Sequence, residues 1–557
     1  MPASSNQLTV TLALLGAGRV VPGGQPETLL PLEPRIMGPA AVDGHNLRFI
    51  DGLVTQRPGY DELGTAPNTS RVVGLYIAHF DNGASYTIRC TPTTIHTFDG
   101  TNYVDITPAA APTGGVDDYY TFAMVPRVGT VTPKNWLFIS NGVDGIWRWE
   151  PGMAQAVLVG GGSPTGTKVL MSYGGRAYAL NTDLAGTPGE RHHARIYRSI
   201  VGDATNWTGL GSGYVDLDAD PFPIVAAIPL DGQFIVMKGG VTGGSAWRAI
   251  PTGLLEEPDA YTPLNPGSNV GPLMRRTVIQ LSDTSVFFVG HDGFYVSNFR
   301  DVRRLATTEI RALLARINQD ALDGGLAWYK PRANEIHVAI PLAGSKVPAE
   351  VWVYNVAEDR LFGPYVYAHN ITAASSGFVK GGALTWTLFT YPGGWLTIPF
   401  TTWTSISGER AAATVALGTS GGLLLNDRDE MVADNTQTIF STYETATVRA
   451  DGRAVPYGAA GASGTVADTL TLRGVLLDYP ARLAWTPTVQ VSHDGGVSWT
   501  VVSDGVPLES GNGALAMRAY ATDLHGKAFR VRIGGAAGFA LHALHLEFTY
   551  GGDARYG

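Results

Sequence analysis

The chain is short of cysteine, of charge and of long apolar runs, and each shortage excludes something. Its one cysteine, Cys90, rules out an internal disulfide framework and any Cys-based zinc ribbon. Charged residues make up 16% of the 557 positions against 44% hydrophobic, the reverse of the balance that leaves a chain disordered. No stretch approaches the roughly 20 apolar residues of a spanning helix. The run from Leu8 to Leu15 is broken by Thr9 and Thr11 and ends at Gly16. It follows Met1-Pro2-Ala3-Ser4-Ser5 with no basic region, so a secretory signal or membrane anchor is not expected. Basic patches are missing too. The net charge is −9, and Arg275-Arg276 and Arg303-Arg304 are isolated pairs, read as solvated residues rather than a nucleic-acid grip.

What the chain has in quantity is turn chemistry: 70 Gly and 34 Pro without a Gly-X-Y period, which suits many short strands. A unit of aromatic, β-branched strand, glycine turn and second strand keeps returning. It reads Trp136-Leu-Phe-Ile-Ser-Asn-Gly-Val-Asp-Gly-Ile-Trp-Arg-Trp149 and Val286-Phe-Phe-Val-Gly-His-Asp-Gly-Phe-Tyr-Val296, and shorter versions span Leu170 to Leu180 and Ile228 to Met237. Such side chains fit a pleated, half-buried surface, and the glycines supply the positive φ of a tight hairpin. Hairpins repeated over several hundred residues predict an all-β chain, a β-propeller of about six to eight blades. Units are expected at 72–106, 120–160, 167–200, 213–250, 277–305 and 326–366, with 371–420 closing the ring. A helix is expected from Thr307 to Asn318, where Glu309, Ile310, Leu313, Leu314 and Ile317 approximate a 3.6-residue period.

Four regions follow: residues 1–70, an irregular N-terminal assembly segment; 71–430, the propeller; 431–550, a C-terminal antiparallel β-sandwich; and 551–557, a loose tail. The sandwich strands flank a Gly/Ala-rich loop at 457–464.

Candidate chemistry is sparse. Ser492-His-Asp-Gly-Gly-Val-Ser-Trp499 matches the Asp-box pattern through Ser492, Asp494, Gly496 and Trp499. Asp494 can bond the amides of its own turn, Gly495 and Gly496 can take positive φ, and Trp499 can pack beneath the hairpin, so its role is structural. The densest acids are Asp216, Asp218 and Asp220, which would share one face of a strand and suit Ca²⁺, and Glu256, Glu257 and Asp259. Solvated strand-end acids are the preferred reading of both. His192 and His193, and His542 and His545, fall on opposite strand faces, so no metal is assigned. Gly16-Ala-Gly18 lacks the third glycine of a dinucleotide loop. Trp147 and Trp149 are read as buried rather than as a sugar platform. Pro34-Arg-Ile-Met37 only partly matches the Arg-Ile-Pro segment of sialidases. No catalytic residue and no cofactor is assigned.

Asp43-Gly-His-Asn-Leu-Arg-Phe-Ile-Asp-Gly-Leu-Val-Thr-Gln-Arg-Pro-Gly-Tyr60 resembles a segment near the start of bacteriophage tail proteins, in which Asn-x-x-Phe-x-x-Gly precedes Arg-Pro-Gly-Tyr. The matching residues are Asn46, Phe49, Gly52, Arg57, Pro58, Gly59 and Tyr60. Thr94 to Pro108 is similar to the strand, turn, strand, Thr-Pro units of the same proteins, and Thr438 to Thr445 precedes the sandwich in the same order. The layout resembles the nozzle (tail tube) subunits of short-tailed phages. That resemblance implies a structural virion protein, not an enzyme, made in the host cytoplasm. It also implies a hexameric ring of copies of itself below the portal and adaptor, contacts with tail fibre or needle proteins, and double-stranded DNA passing through without sequence-specific binding. An acidic lumen would let the duplex slide. The alternatives are a receptor- or carbohydrate-binding propeller and a glycoside hydrolase, which needs two carboxylates across a scissile bond.

Overall fold

Strand and turn residues alternate in this chain so regularly that its structure is almost wholly β. The computed structural model describes residues 7–13, 41–50, 53–127, 135–380, 411–427, 433–449, 454–455, 470–480, 485–508, 515–536 and 539–550, apart from 185–186, 231, 253, 255–257, 265–268, 299, 306–309, 311–312, 332, 358–359, 435–436, 446, 495 and 527. The turns explain the hairpins. Val169–Tyr173 and Arg176–Leu184 are joined by Gly174 and Gly175 at φ of 55° and 75°, a region in which a side chain would be strained.

Six four-stranded antiparallel sheets follow one another along the chain. The first holds Gly74–His79, Ser85–Cys90, Ile95–Phe98 and Tyr103–Asp105. The second holds Thr121–Pro126, Asn135–Ser140, Trp147–Trp149 and Val157–Leu158. The third adds Thr187–Arg198 and Gly213–Asp216 to the Gly174 hairpin. The fourth comprises Ile224–Leu230, Gln233–Gly240, Gly243–Pro251 and Asp259–Leu264. The fifth comprises Ile279–Ser282, Ser285–Val289, Phe294–Ser297 and Val302–Leu305. The sixth comprises Leu326–Lys330, Glu335–Ile340, Glu350–Asn355 and Arg360–Tyr365. A seventh sheet starts with Ile371–Lys380, Ala411–Thr419 and Leu424–Asp427.

One unit boundary differs from expectation. Gly213–Asp216 does not open the fourth sheet but completes the third, pairing with Arg195 to Arg198. A fourteen-residue excursion between Arg198 and Gly213, punctuated by Gly202, Gly209 and Gly211, hides that pairing from sequence periodicity. Of the expected helix, Ile310, Leu313 and Leu314 are helical and buried, and the positions around them lie partly outside the described residues.

Apolar side chains fuse each sheet to the next. Leu137, Ile139 and Trp147 of the second pack with Ile88 and Ile95 of the first. Val125 and Phe138 meet Leu170 and Ala179, Tyr178 and Leu180 meet Phe234 and Val236, and Ile235 and Met237 meet Val286 and Phe288. The last sheet returns to the first through Ala373, Ala416 and Leu424 against Leu75 and Ile77. Successive twisted sheets fused in this way make a propeller-like all-β fold. Arg89, fully buried, ties the return, its Nε donating to the Gly422 carbonyl at 3.0 Å and its Nη2 to Asn68 Oδ1 at 2.9 Å.

Residues 1–70, expected to be an irregular segment, hold five strands among the described residues, β1 Gln7–Ala13, β2 Ala41–His45, β3 Leu47–Ile50, β4 Leu53–Gln56 and β5 Tyr60–Glu62. A few short strands were expected here; β3 and β4 pair with each other as a local hairpin, whereas the other pairings reach hundreds of residues along the chain. β1 pairs with Ala543–Tyr550, β2 with Ser441–Thr445 and β4 with Ala540–Leu541. β5 becomes the fourth strand of the seventh sheet, beside Leu424–Asp427. Toward the C-terminus, one sheet runs β1, Ala543–Tyr550, Leu470–Pro480 and Leu515–Gly526. A second is built on Ser441–Thr445 and Ala528–Gly535 with Thr488–Ser492 beside them. The Gly/Ala-rich loop at 457–464 and the tail lie outside the described residues, and among those described no helix is long and apolar enough to cross a membrane.

Lys330 of the sixth sheet meets Asp427 of the seventh at 3.1 Å, both buried. Removing one partner of such a pair strands the other charge. Lys330→Met is therefore expected to cost about 3–5 kcal/mol in chemical denaturation, and the double change Lys330→Met with Asp427→Leu to restore most of that loss. An additive double mutant would contradict the coupling.

Candidate functional site

The residues matched to the tail-protein segment converge on one buried node. Asn46 sits between β2 and β3 at φ 58°, a conformation asparagine tolerates better than most residues. Its backbone N–H donates to the Pro364 carbonyl at 3.0 Å, and its carbonyl accepts from the Arg57 amide at 2.8 Å and Ser441 Oγ at 3.0 Å. Its side-chain oxygen accepts from Arg57 Nε at 2.9 Å and from the Val366 amide at 2.8 Å, while Nδ2 donates to the Phe440 carbonyl at 2.9 Å.

Arg57 is 1% exposed and uses its whole donor fork. Beyond Asn46, Nη1 donates to the Pro58 carbonyl at 2.9 Å and Asp434 Oδ1 at 2.8 Å. Nη2 donates to the Val366 carbonyl at 2.8 Å and to Asp434 Oδ2. The guanidinium lies 4.4 Å from the centre of the Tyr367 ring. Burial, the largest single influence, opposes its charge, but the hydrogen-bonded Asp434 carboxylate together with Tyr367 and Tyr365 lifts the arginine above its ordinary value.

Phe49 packs on Phe362 with centroids 5.9 Å apart, and Tyr60 on Tyr367 at 6.1 Å. Burial, with Asp434 acting the same way, pushes the Tyr60 hydroxyl up. Pro58 and Gly59 are buried between them, and Gly52 lies outside the described residues. The motif thus joins β2 to β5, the end of the sixth sheet and the strand Ser441–Thr445.

The Asp box forms the expected hairpin. Asp494 Oδ1 accepts from Ser492 Oγ at 2.7 Å, the Val497 amide at 3.0 Å and the Ser498 amide at 2.9 Å, and Oδ2 accepts from Ser498 Oγ at 2.5 Å. The Ser498 bonds, first of several, hold the carboxyl far below its ordinary range. Gly496 takes φ 105°, and Gly495 lies outside the described residues. Trp499 does not disappear beneath the turn as expected. It is half-buried because the Arg532 guanidinium covers it, 4.2 Å from the ring centre, while pairing with Glu444 at 2.8 Å.

Asp216, Asp218 and Asp220 do not come together around one site. Asp216 ends its strand in a bidentate pair with Arg195 at 2.7 Å, Asp220 is held by Lys238 at 2.7 Å, and Asp218 lies exposed in a turn. Asp259 accepts from the Tyr178 hydroxyl at 2.8 Å, and burial pushes its carboxyl up. Glu256, Glu257, Gly16 to Gly18 and Pro34 to Met37 lie outside the described residues. Trp147 and Trp149 are buried, the latter edge-on to Phe80 and Tyr86.

Sequence reasoning missed one region. The loops leading into the first strands of the second, fourth, fifth and sixth sheets surround a cavity of about 400 Å³, with the 239–241 and 346 turns. Arg275 lines it, and Arg275-Arg276 is not solvated as expected: both are half-buried and bonded to backbone across the ring. An adjacent pair of arginines carries no sequence sign of that placement.

No protein family model and no curated protein matches the chain. Among solved structures it is similar to the computationally designed Ika8 protein, at 11% identity and TM-score 0.35, over 66% of this chain and 99% of that one. It is also similar to the extracellular domain of the putative one component system BT4673 from B. thetaiotaomicron, at 8% identity and TM-score 0.41, over 86% of this chain and 62% of that one. Neither likeness is close enough to say what this chain does.

The Asp box has a pH signature. Because the folded Asp494 value is depressed, its contribution is complete above the unfolded value of about 4 and is lost as pH falls below it. Asp494→Asn should speed hydrogen exchange of the Val497 and Ser498 amides near pH 7, with the difference from wild type narrowing as pH falls below about 4 and closing only as pH passes through the depressed folded value. Equal exchange at neutral pH would show that the turn does not need the carboxylate.

Proposed function

We propose that this chain is a structural subunit of a bacteriophage tail, the nozzle of a short-tailed phage, in which copies of it close a hexameric channel for DNA ejection. On this reading the seven sheets between residues 60 and 427 are the blades of a seven-bladed propeller, with β5 as the closing strand. The two C-terminal sheets, whose Val475, Leu477, Val531 and Ile533 share one apolar cluster, form the sandwich. The observation that carries the reading is the node. The segment that resembles tail proteins places Asn46 and Arg57 where propeller, closing strand and sandwich meet, a role in architecture rather than in chemistry.

Two features support it. Buried charges such as Arg57, Arg89 and Lys330 are spent on joining elements. A net charge of −9 suits a wall past which phosphate must slide. A receptor- or carbohydrate-binding propeller is the second reading, favoured by the cavity on one end of the ring.

Quantitative mass spectrometry of purified phage particles from the source tests the proposal. About six copies per particle are expected of a closed six-fold ring. Absence of the chain from particles would contradict it.

A further inference from the structure

Two buried side chains from neighbouring sheets meet in a way that allows more than an ion pair. Lys330 ends a strand of the sixth sheet and Asp427 a strand of the seventh, and their side chains are 6% and 1% exposed. Nζ lies 3.1 Å from Oδ2, so the carboxyl carbon is at most one C–O bond farther away. That is close enough for a hydrogen bond, yet among the described residues Asp427 Oδ2 accepts none. Both ends are rigid. Asp427 is held between Val415 and Tyr60 of β5, and Lys330 is paired with Glu335 across its hairpin. Reacting atoms fixed on strands near contact distance need little further ordering.

The surroundings are aromatic and closed to solvent. Trp328, Tyr365 and Tyr367 are buried, and Trp328 stacks on His337, which lies 3.3 Å from Glu335. Burial pushes the Tyr365 and Tyr367 hydroxyls up, and Asp427 acts the same way on both, as Glu335 does on Tyr365. Asp427 and Glu335 are therefore both within electrostatic reach of one hydroxyl. Burial opposes the charge of Glu335, but His337 and Arg48 together hold its carboxyl below the ordinary value, so it stands ready as a base. Directly opposed side chains on a strand pair come within reach of one another, which places Glu335 beside Lys330.

In water an amine and a carboxylic acid do not condense, because both ions are well solvated and water drives hydrolysis. Burial removes both advantages: the ions lose hydration that their attraction barely repays, and water is kept out. A neutral amide in the same place has no charge to desolvate.

We propose that Lys330 and Asp427 condense to an isopeptide bond, a covalent staple between the sixth and seventh sheets. The ion pair is the state of the freshly folded chain and the starting point of the reaction. One proton passes from Nζ to the carboxylate, leaving an amine and an acid. The amine lone pair attacks Asp427 Cγ and forms the C–N bond. Glu335 takes a proton from that nitrogen and returns it to the departing oxygen. The C–O bond breaks, one water leaves, and nothing is oxidised or reduced. The staple stands independently of any role in a phage tail.

Lys238 and Asp220 give the contrast. They approach to 2.7 Å, but Lys238 Nζ also donates to the carbonyls of Leu217 and Asp220, and the Asp220 side chain is 18% exposed. Protons committed to carbonyls keep that amine an ammonium, and no bond is expected there.

Intact mass and peptide mapping of the full-length protein, freshly refolded and after prolonged incubation, test this. Wild type is expected to become lighter by one water, with the peptides holding Lys330 and Asp427 recovered joined and no tryptic cleavage after Lys330. Lys330→Arg, which keeps a buried cation but not the nucleophile, should retain its full mass. Asp427→Asn should give the same joined peptides with loss of ammonia in place of water. Glu335→Gln should slow the joining by about a hundredfold or more. No joined peptide in wild type after incubation, or a water loss that persists in Lys330→Arg, would overturn the staple. An unchanged rate in Glu335→Gln would overturn its part as proton carrier.

Discussion

One guanidinium holds the ends of this chain together. Arg57 is buried, and each of its donors is bound by a group fixed to a different part of the molecule: Asn46 after β2, Val366 after the sixth sheet, Asp434 on a strand of the seventh that pairs with β5, and Pro58 ahead of β5. A planar, rigid fork accepts that geometry, whereas a lysine has fewer donors and no fixed plane. Asn46, in turn, needs a positive φ so that one side-chain amide can serve Arg57, Val366 and Phe440 together. With the node made, β5 is delivered to the open edge of Leu424–Asp427, and the ring gains its closing strand. An edge left bare there would invite pairing with another chain.

Packing and charge divide the labour. Apolar clusters at each sheet-to-sheet junction provide the driving force, because each buries aromatic or branched side chains from both neighbours. Such contacts are tolerant of small shifts. Arg89 on Gly422 and Asn68, Lys330 on Asp427 and Arg57 on Asp434 are not, since a shift would strip a buried charge of its hydrogen bonds or its counter-charge. All three lie where the last sheet meets the rest, which is where a ring closed by distant segments has most need of a fixed register.

Legibility in the sequence followed distance along the chain. Hairpins whose turn residues stand between their strands, such as Gly174-Gly175 and the Asp494 turn, were readable because their chemistry is local. The pairings of β1, β2 and β5 were not, because their partners lie beyond residue 420. Gly213–Asp216 was assigned to the wrong sheet for a related reason, a long loop separating it from Arg195 to Arg198. Asn46 and Arg57 stood out only through resemblance, and nothing local revealed Asp434 as their partner. Arg275-Arg276 was misread, since a charged pair looks alike whether it meets solvent or crosses a ring.

Hydrogen exchange with mass spectrometry on wild type and Arg57→Met tests the central claim most directly, that one node closes the fold. Protection should fall together at β5, at Leu424–Asp427 and at Ser441–Thr445, while the second to fifth sheets keep theirs. Loss confined to the residues flanking position 57, or no loss at Ser441–Thr445, would contradict the account.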